Sequence, residues 1–247
     1  MTRQRPSLAI PELFLGLLAL AIAAVWISHV FATTIHDSKH ANDTIVVTGS
    51  ARKPITSNLV QWSLSVDGHA ATPVQAARTL QQESHAVIAF LRGAGIPAQA
   101  ILPQVVQTNV EVTRINKHLT RTTYHVSQGF QVSTTKLDIV QTASTRLGEL
   151  LVNGIDVSAE PLAFISTDLA EAKLEALGAA TAEARNRAQI LVKGLGGTLG
   201  PVRASSLGVY QITPRNSTDV SNYGINDTTS RLKDVTAVVS ATFAVRR

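Results

Sequence analysis

The amino-acid sequence predicts an α+β protein with mainly antiparallel sheets packed against helices, including one long Ala-rich helix, and preceded by one N-terminal transmembrane or signal helix. Strand-like runs of alternating apolar and polar residues occur mostly in adjacent pairs, and helix-like runs separate the pairs. Pairs of consecutive strands, with helices between one pair and the next, favour antiparallel pairing over a doubly wound parallel sheet.

Composition narrows the classes of function. Hydrophobic residues make up 45% of the 247 residues, so the chain can bury a core. The sequence has no cysteine, which excludes disulfides and thiolate metal sites and fits export to an oxidising compartment. The formal net charge is +5, but the basic residues are scattered and aromatic residues amount to 4%. We therefore predict no nucleic-acid partner.

An apolar run near the N-terminus predicts a membrane-inserting segment. Residues 13–30 (LFLGLLALAIAAVWISHV) carry no formal charge, and residues 31–35 extend the run. A transmembrane helix needs about 20 apolar residues, so the length suits a bilayer. Arg3 and Arg5 precede the run, which puts the N-terminus in the cytoplasm and the remaining chain outside.

The domain organisation follows from this run. We predict a cytoplasmic stub at 1–12, a transmembrane anchor or signal segment at 13–35, a tether at 36–44 and one exported domain at 45–247. The alternative is a signal peptide cleaved after Ala32, because Val30-Phe31-Ala32 is an acceptable small-residue cleavage site. Both alternatives export the domain.

Two strands open the predicted domain. The first begins at Ile45–Gly49, and the second runs from Leu59 to Val66 with alternate residues on one face: Val60, Trp62, Leu64 and Val66. Pro54 and Ser57-Asn58 lie between the two strands, so we expect a hairpin.

A helix and two further strands follow. Thr72 as N-cap and Pro73 at the first position predict the helix start, and Gly93 and Gly95 predict its end. The expected apolar stripe is Val74, Ala77, Leu80, Val87, Ile88 and Leu91, with Ser84 filling one position. Alternation then predicts strands at Val106–Val112 and at Tyr124–Val132, joined by a polar turn at Asn116–His118.

Two more helices are predicted downstream. One begins near Thr135 or Asp138 and ends at Asn153-Gly154, with Leu137, Val140, Ala143, Leu147, Leu150 and Leu151 as its stripe. A short strand at Leu162–Ile165 precedes a long Ala-rich helix that runs from Asp168 to the glycines at 194, 196 and 197. Its buried stripe is expected at Leu169, Ala172, Ala176, Ala180, Ala184, Ala188 and Leu191.

The chain ends with two predicted strands and the loop between them. The strands are Val202–Ile212 and Val235–Val245, and the second has Val235, Ala237, Val239, Ala241, Phe243 and Val245 on one face. Residues 213–231 are rich in Ser, Thr, Asn, Asp and Gly, so we expect a mobile loop.

No sequence pattern predicts a catalytic, cofactor-binding or metal site. The glycines of Gly194–Gly200 follow a helix and precede a strand, the reverse of a phosphate-binding loop, so they indicate a helix end and a turn. His36 and His40 have helical spacing in the tether, but too few ligands accompany them for a metal. If a pocket exists between helices and sheet, its polar candidates are Arg78, Glu83 and His125.

The order of several short motifs resembles the SIMPL-domain family, whose bacterial members are exported envelope proteins, including periplasmic immunogenic and oxidative-stress-defence proteins. The matching stretches are Val46–Ala51, Leu91–Ile96, Gly129–Val132, Leu137–Val140, Asn153–Asp156, Leu162–Ser166, Glu183–Ala188 and Leu195–Gly200. The resemblance implies an α+β fold and self-assembly into large oligomers in some members. It implies no established catalytic residue, cofactor or ligand.

Two functions are therefore expected. The first is a non-enzymatic cell-envelope protein that acts through self-assembly or partner binding, in envelope or oxidative stress tolerance. It would be a single-pass protein of the bacterial inner membrane with its domain in the periplasm, or a soluble periplasmic or secreted protein after cleavage near Ala32. Its partners would be the membrane, other copies of itself or an envelope protein. The alternative is a small-molecule-binding or enzymatic domain with an unrecognised pocket.

Overall fold

A computed structural model describes residues 43–116 and 119–246, together with Ala23, Ala24 and Trp26, which are helical and exposed. The predictions for the stub, for most of the anchor and for most of the tether fall outside these residues. His36, His40 and His118 also fall outside them. Within the described part of the chain, no helix is long and apolar enough to cross a bilayer.

The described chain divides into two compact units. Unit 1 comprises residues 43–49, 182–206 and 239–246, and unit 2 comprises residues 50–181 and 207–238. The strands are β1 (Thr44–Thr56), β2 (Leu59–Ala70), β3 (Ile101–Pro103), β4 (Gln107–Arg114), β5 (Thr120–Thr134), β6 (Val157–Ala159), β7 (Ala163–Ile165), β8 (Thr198–Leu207), β9 (Gln211–Pro214), β10 (Ile225–Asn226) and β11 (Leu232–Arg246). The helices are α1 (Pro73–Gly93), α2 (Leu137–Thr145), α3 (Gly148–Val152) and α4 (Leu169–Gly194).

One sheet of unit 2 is built on the long pair β2 and β5. These strands pair antiparallel from Val60↔Thr134 to Ala70↔Tyr124. The short strands β6 and β7 pair antiparallel with β2, and β3 and β4 pair antiparallel with β5. The expected α+β class with antiparallel pairing is confirmed for this sheet.

The other sheet has the order β1-β11-β9-β10, and β8 also pairs with β11. It is mixed, because β9 is antiparallel to β11 but parallel to β10. β1 and β2 therefore belong to different sheets, and the hairpin expected between them is wrong. The backbone N–H groups of Ser57 and Asn58 donate to Arg231 O and Ile165 O, at 2.8 and 3.0 Å, so the link passes from one sheet to the other.

The core of unit 2 lies between the β2–β5 pair and the helices. The predicted face of β2 (Val60, Trp62, Leu64 and Val66) is buried, together with Val126, Phe130 and Val132 of β5. Gly68 lets α1 approach closely, since a Cβ there would lie 2.6 Å from Ala76 O and 2.7 Å from Leu80 N. Burial of each large apolar side chain contributes about 2 kcal/mol to the free energy of unfolding, so this face is the main source of unit 2's stability.

Helix α1 begins and ends as predicted. Thr72 is the N-cap and its Oγ1 accepts from Gln75 N, and Gly95 follows the helix end at φ +94°. Of the predicted stripe, Leu80, Ser84, Val87 and Leu91 are buried, but at the start of the helix the buried residue is Ala76. Val74 and Ala77 are exposed. Both lie near the start of the helix, where the neighbouring Gly68 accommodates the Ala76 backbone and so selects a different helical phase.

The second predicted helix is in fact two helices, α2 and α3, separated at Arg146-Leu147. Leu137, Val140, Ala143 and Leu150 are buried as expected, but Leu151 is exposed. A three-residue strand, β6, follows and was not predicted, because Val157-Ser158-Ala159 is too short to show alternation.

The long Ala-rich helix is confirmed as α4, and its stripe Ala172, Ala176, Ala180, Ala184 and Ala188 is buried. At its C-terminal end Val192 is buried in place of the expected Leu191. In unit 1, Ala184 and Ala188 pack with Val47, Ala241 and Phe243. The run Val202–Ile212, expected as one strand, is divided into β8 and β9 at Gly208–Tyr210.

The segment predicted as a loop, residues 213–231, contains β10, and hydrogen bonds join it to residues of β11. Lys233 is buried, and its Nζ donates to Phe164 O of β7 at 2.6 Å and also to Asp227 O. Asp227 in turn accepts from Thr229 N, Thr229 Oγ1 and Ser230 N. Buried Asp234 accepts from Asn216 N at 3.2 Å and lies near Arg52. The mobility of this loop stays a prediction.

The pKa values of this cluster follow from burial and hydrogen bonding. Burial lowers the pKa of Lys233, and the Asp227 carboxylate offsets part of that effect. Burial acts to raise the pKa of Asp227, but hydrogen bonds from Thr229 and Ser230 and the Lys233 ammonium outweigh it, so that pKa is lowered. The carboxylate form of Asp227 is therefore favoured by the fold.

Replacement of Asp227 tests the cluster through its pH dependence. Near neutral pH, Asp227→Asn should lower the free energy of unfolding by about 1 kcal/mol, since an amide cannot accept all three bonds and the site is partly solvated. A lowered folded-state pKa contributes stability above the unfolded pKa, near 4, and loses it as pH falls through the folded pKa. Urea unfolding of the full chain should therefore show the difference shrinking progressively as the pH falls below about 4.

Asp219→Asn is the matched control, because Asp219 is an exposed aspartate of the same loop whose Oδ2 accepts from the Ser217 hydroxyl. We expect it to change stability by less than the Asp227 variant at every pH. A difference between wild type and Asp227→Asn that persists unchanged in acid would contradict the assigned role of the carboxylate.

Candidate functional site

The β4–β5 hairpin extends beyond the strands that support the rest of the sheet. β2 pairs with β5 only as far as Tyr124, whereas β4 continues the pairing to Arg114↔Thr120. Every residue of β4 is exposed. We call residues 107–116 and 119–125 of this hairpin the arm; only its outer part, beyond the Val110↔Tyr124 pair, is two-stranded.

One face of the arm is apolar. Thr108, Val110 and Val112 lie opposite Val126, Tyr124 and Thr122 of β5, so they share the face that carries the buried Val126. Tyr124 on this face is partly buried against the core, but Val110 is 47% exposed and Val112 is 63% exposed. Ile115 and Leu119, next to the turn, are also exposed. Single exposed apolar residues are common, but a row continuing from a core marks a contact surface.

The opposite face of the arm is polar and joins a histidine pair. His69 and His125 lie directly across β2–β5, with ring centroids 5.3 Å apart. His69 Nε2 is 3.2 Å from Asp156 Oδ2, and His125 Nε2 is 3.2 Å from Glu111 Oε2. These contacts connect β4 to the residues before β6 and hold the base of the arm against the sheet.

Glu83 of α1 joins the same cluster from the helix side. Its Oε2 accepts from Asp156 N at 3.3 Å. Burial raises the pKa of Glu83, and repulsion by Asp156 and Asp67 adds to this, while the Asp156 N–H and His69 act in the opposite direction. Despite this concentration of acids and imidazoles, no group of three or more potential metal ligands occurs within the described residues.

A polar groove of about 300 Å³ lies over the centre of the β2–β5 pair. Its polar lining consists of the hydroxyls of Ser63, Ser65, Ser127 and Ser158, the amides of Gln104 and Gln107 and the carboxylate of Glu160. The side chain of Gln104 lies directly over Gly129, since a Cβ there would lie 2.6 Å from Gln104 Oε1. The hydrogen-bonding groups of the groove suit a small hydroxylated ligand, and Glu160 would favour a positive charge.

The residues singled out by sequence have different positions. Glu83 and His125 join one cluster through Asp156 and His69, whereas Arg78 is exposed on α1; none of the three lines the groove. Gly194–Gly200 follows α4 and precedes β8 as predicted, and Gly197 N donates to Val192 O at the helix end. Sequence reasoning missed the arm, because it treated Val110 and Val112 as an ordinary half-buried strand.

Comparison with known proteins places the chain in a family. Among solved structures, the ligand-free regulatory subunit of aspartate kinase from Thermus thermophilus is 15% identical over 78% of this chain and 88% of that chain, at a TM-score of 0.18, which supports no inference. No curated protein matches the chain. The model of the SIMPL family, described as "protein of unknown function (DUF541)", matches residues 45–243. Because this match covers most of the chain, the protein belongs to the SIMPL family.

Proposed function

We propose that this protein is a non-enzymatic cell-envelope protein that acts by self-association, and that the arm is its association surface. The observation that carries the proposal is the apolar row Val110 and Val112 on a ribbon with no packing partner among the described residues. A two-stranded hairpin alone is marginally stable in water, so burial of this face by another protein would stabilise it. A second copy of the chain has the same apolar face, so two copies could bury these faces against each other.

The free edge of β4 supports the same proposal. Among the described residues β4 pairs only with β5, so one edge of it can accept a further strand. Long exposed edges of this kind pair with other chains unless charge or proline blocks them. β4 has no proline. Its charged residues are Glu111, immediately before Val112, and Arg114, two residues after it, and their charges are opposite.

The proposed location is the bacterial inner membrane, with the domain in the periplasm. The uncharged run at 13–30 and the preceding Arg3 and Arg5 support it. A role in envelope or oxidative stress tolerance belongs to the proposal as well and rests on the family resemblance alone. Membership of a family of unknown function leaves catalysis without support, so we propose no enzymatic step.

A charge in the apolar face of the arm tests the association. Val112→Lys should weaken self-association of the full chain at least about tenfold, because it removes burial of a valine, worth about 1.5 kcal/mol or more, and adds an unpaired ammonium. The measurement is sedimentation velocity in mild detergent over a range of protein concentrations. The matched control is Val220→Lys, an exposed valine of the 215–231 loop, which should associate as wild type does.

Two results would contradict the proposal. Wild type could remain monomeric at all concentrations, or Val112→Lys could associate as strongly as Val220→Lys. Crosslinking from the arm to a different envelope protein, with a monomeric wild type, would favour partner binding over self-association.

The groove over Gly129 supports a second candidate function, the binding of a small polar ligand. We expect D-glucosamine and D-glucose, used as probes, to shift the amide NMR signals of Ser65, Ser127 and Gly129. Gly129→Val should abolish these shifts, because its side chain displaces Gln104 into the groove. Glu160→Gln should weaken glucosamine alone. Absence of shifts with either probe would refute this candidate.

A further inference from the structure

A groove of about 540 Å³, lined by aliphatic side chains and by backbone, lies at one end of unit 1. It is lined by Thr44 and Ile45 at the start of β1, Val192, Leu195 and Gly197 at the end of α4, and Val245 near the end of β11. Leu195 is 85% exposed, and Ile190 and Leu191 of the last turns of α4 are exposed too. The start of β1, the end of α4 and the end of β11 thus bring aliphatic side chains together.

The charge of unit 1 differs from that of unit 2. Over the described residues, unit 1 has five basic residues (Arg185, Arg187, Lys193, Arg203 and Arg246) and two acidic ones (Asp43 and Glu183), a net charge of +3. The described residues of unit 2 contain twelve basic and thirteen acidic residues, a net charge of −1. Lys193 and Arg246 are exposed and directly adjoin the lining residues Val192 and Val245.

The chain enters the domain at this groove. Thr44 and Ile45 line it, and the preceding Asp43 is held there because its carbonyl accepts from Val245 N at 2.8 Å. The uncharged apolar run at 13–30 ends only twelve residues before Asp43, so residues 31–42 can span no more than about 40 Å. A segment inserted in a bilayer would therefore keep the groove close to the lipid surface.

We propose that this end of unit 1 docks on an anionic lipid bilayer. Leu195 and Leu191 enter the headgroup and acyl boundary, and Lys193 and Arg246 contact anionic headgroups. Interfacial binding of this kind combines apolar burial with about 1 kcal/mol for each Lys or Arg near an anionic surface. The inference rests on the proposed membrane location and adds a contact by the domain itself.

The absence of cysteine makes a single-site test possible. Leu195→Cys in the full chain, labelled with a polarity-sensitive fluorophore, is reconstituted in phosphatidylcholine vesicles with and without phosphatidylglycerol. Nitroxide-labelled lipid should quench the label several-fold more than it quenches a label at Ala182→Cys. Ala182 is exposed on the same helix, about 20 Å from Leu195 along its axis, and so is the matched control. Quenching should increase with phosphatidylglycerol, and Lys193→Glu should remove that increase.

The outcomes separate this inference from the proposed location. A protein that stays with the vesicles while neither label is quenched would overturn the docking and leave the anchor intact. Shielding of the Leu195 label from aqueous iodide without quenching by lipid would indicate a protein contact and would also overturn it. A full chain that does not bind the vesicles at all would refute both. Self-association through the arm is measured separately and is unaffected by these results.

Discussion

The ammonium of Lys233 joins parts of unit 2 that share no strand pairing. Lys233 belongs to β11 of one sheet, and its Nζ donates to Phe164 O in β7 of the other sheet and to Asp227 O in the loop between β9 and β11. A buried charge is costly unless its donors are satisfied, so removal of either carbonyl partner would destabilise the cluster. The link at Ser57-Asn58 passes between the same two sheets, and its N–H groups bond to Arg231 and Ile165 at their ends.

The uncovered face of the arm follows from how α1 and the strands β2, β5 and β4 are placed. α1 covers the β2–β5 pair, and Gly68 brings the helix against β2 near the end of that strand. β2 ends at Ala70, opposite Tyr124, and β5 and β4 continue as a ribbon of two strands. The row of side chains that is buried at Val126 is exposed on the edge strand β4, at Val110 and Val112. The histidine pair and its carboxylates lie at the base of the arm on its polar face, opposite the apolar one.

Local features of the structure could be predicted from sequence, because one residue type determines each of them. The alternation around Trp62, the N-cap at Thr72 and the alanine stripe of α4 all have the predicted positions. Strand partners could not be predicted, because alternation indicates which face is buried but not which strand lies alongside. The error over the β1–β2 hairpin has this cause. The exchange of Leu191 for Val192 has another: helical periodicity alone does not resolve a one-residue rotation at the end of a helix.

For the same reason the candidate site was only partly predictable. Glu83 and His125 were identified by residue type, but Asp156 and His69, which connect them, come together only through strand pairing. The arm shows ordinary strand alternation in sequence, and only the tertiary structure distinguishes Val110 from Val60. No local pattern contains the position of β4 at the edge of the sheet, where Val110 and Val112 lie exposed.

Hydrogen exchange of the β4 backbone tests the central claim, that the arm is the association surface, most directly. The full chain in mild detergent is compared at concentrations below and above its association. The account predicts that amide exchange in residues 107–114 slows several-fold on association, while exchange in the exposed 215–231 loop stays the same. Association without any slowing in β4 would contradict the account.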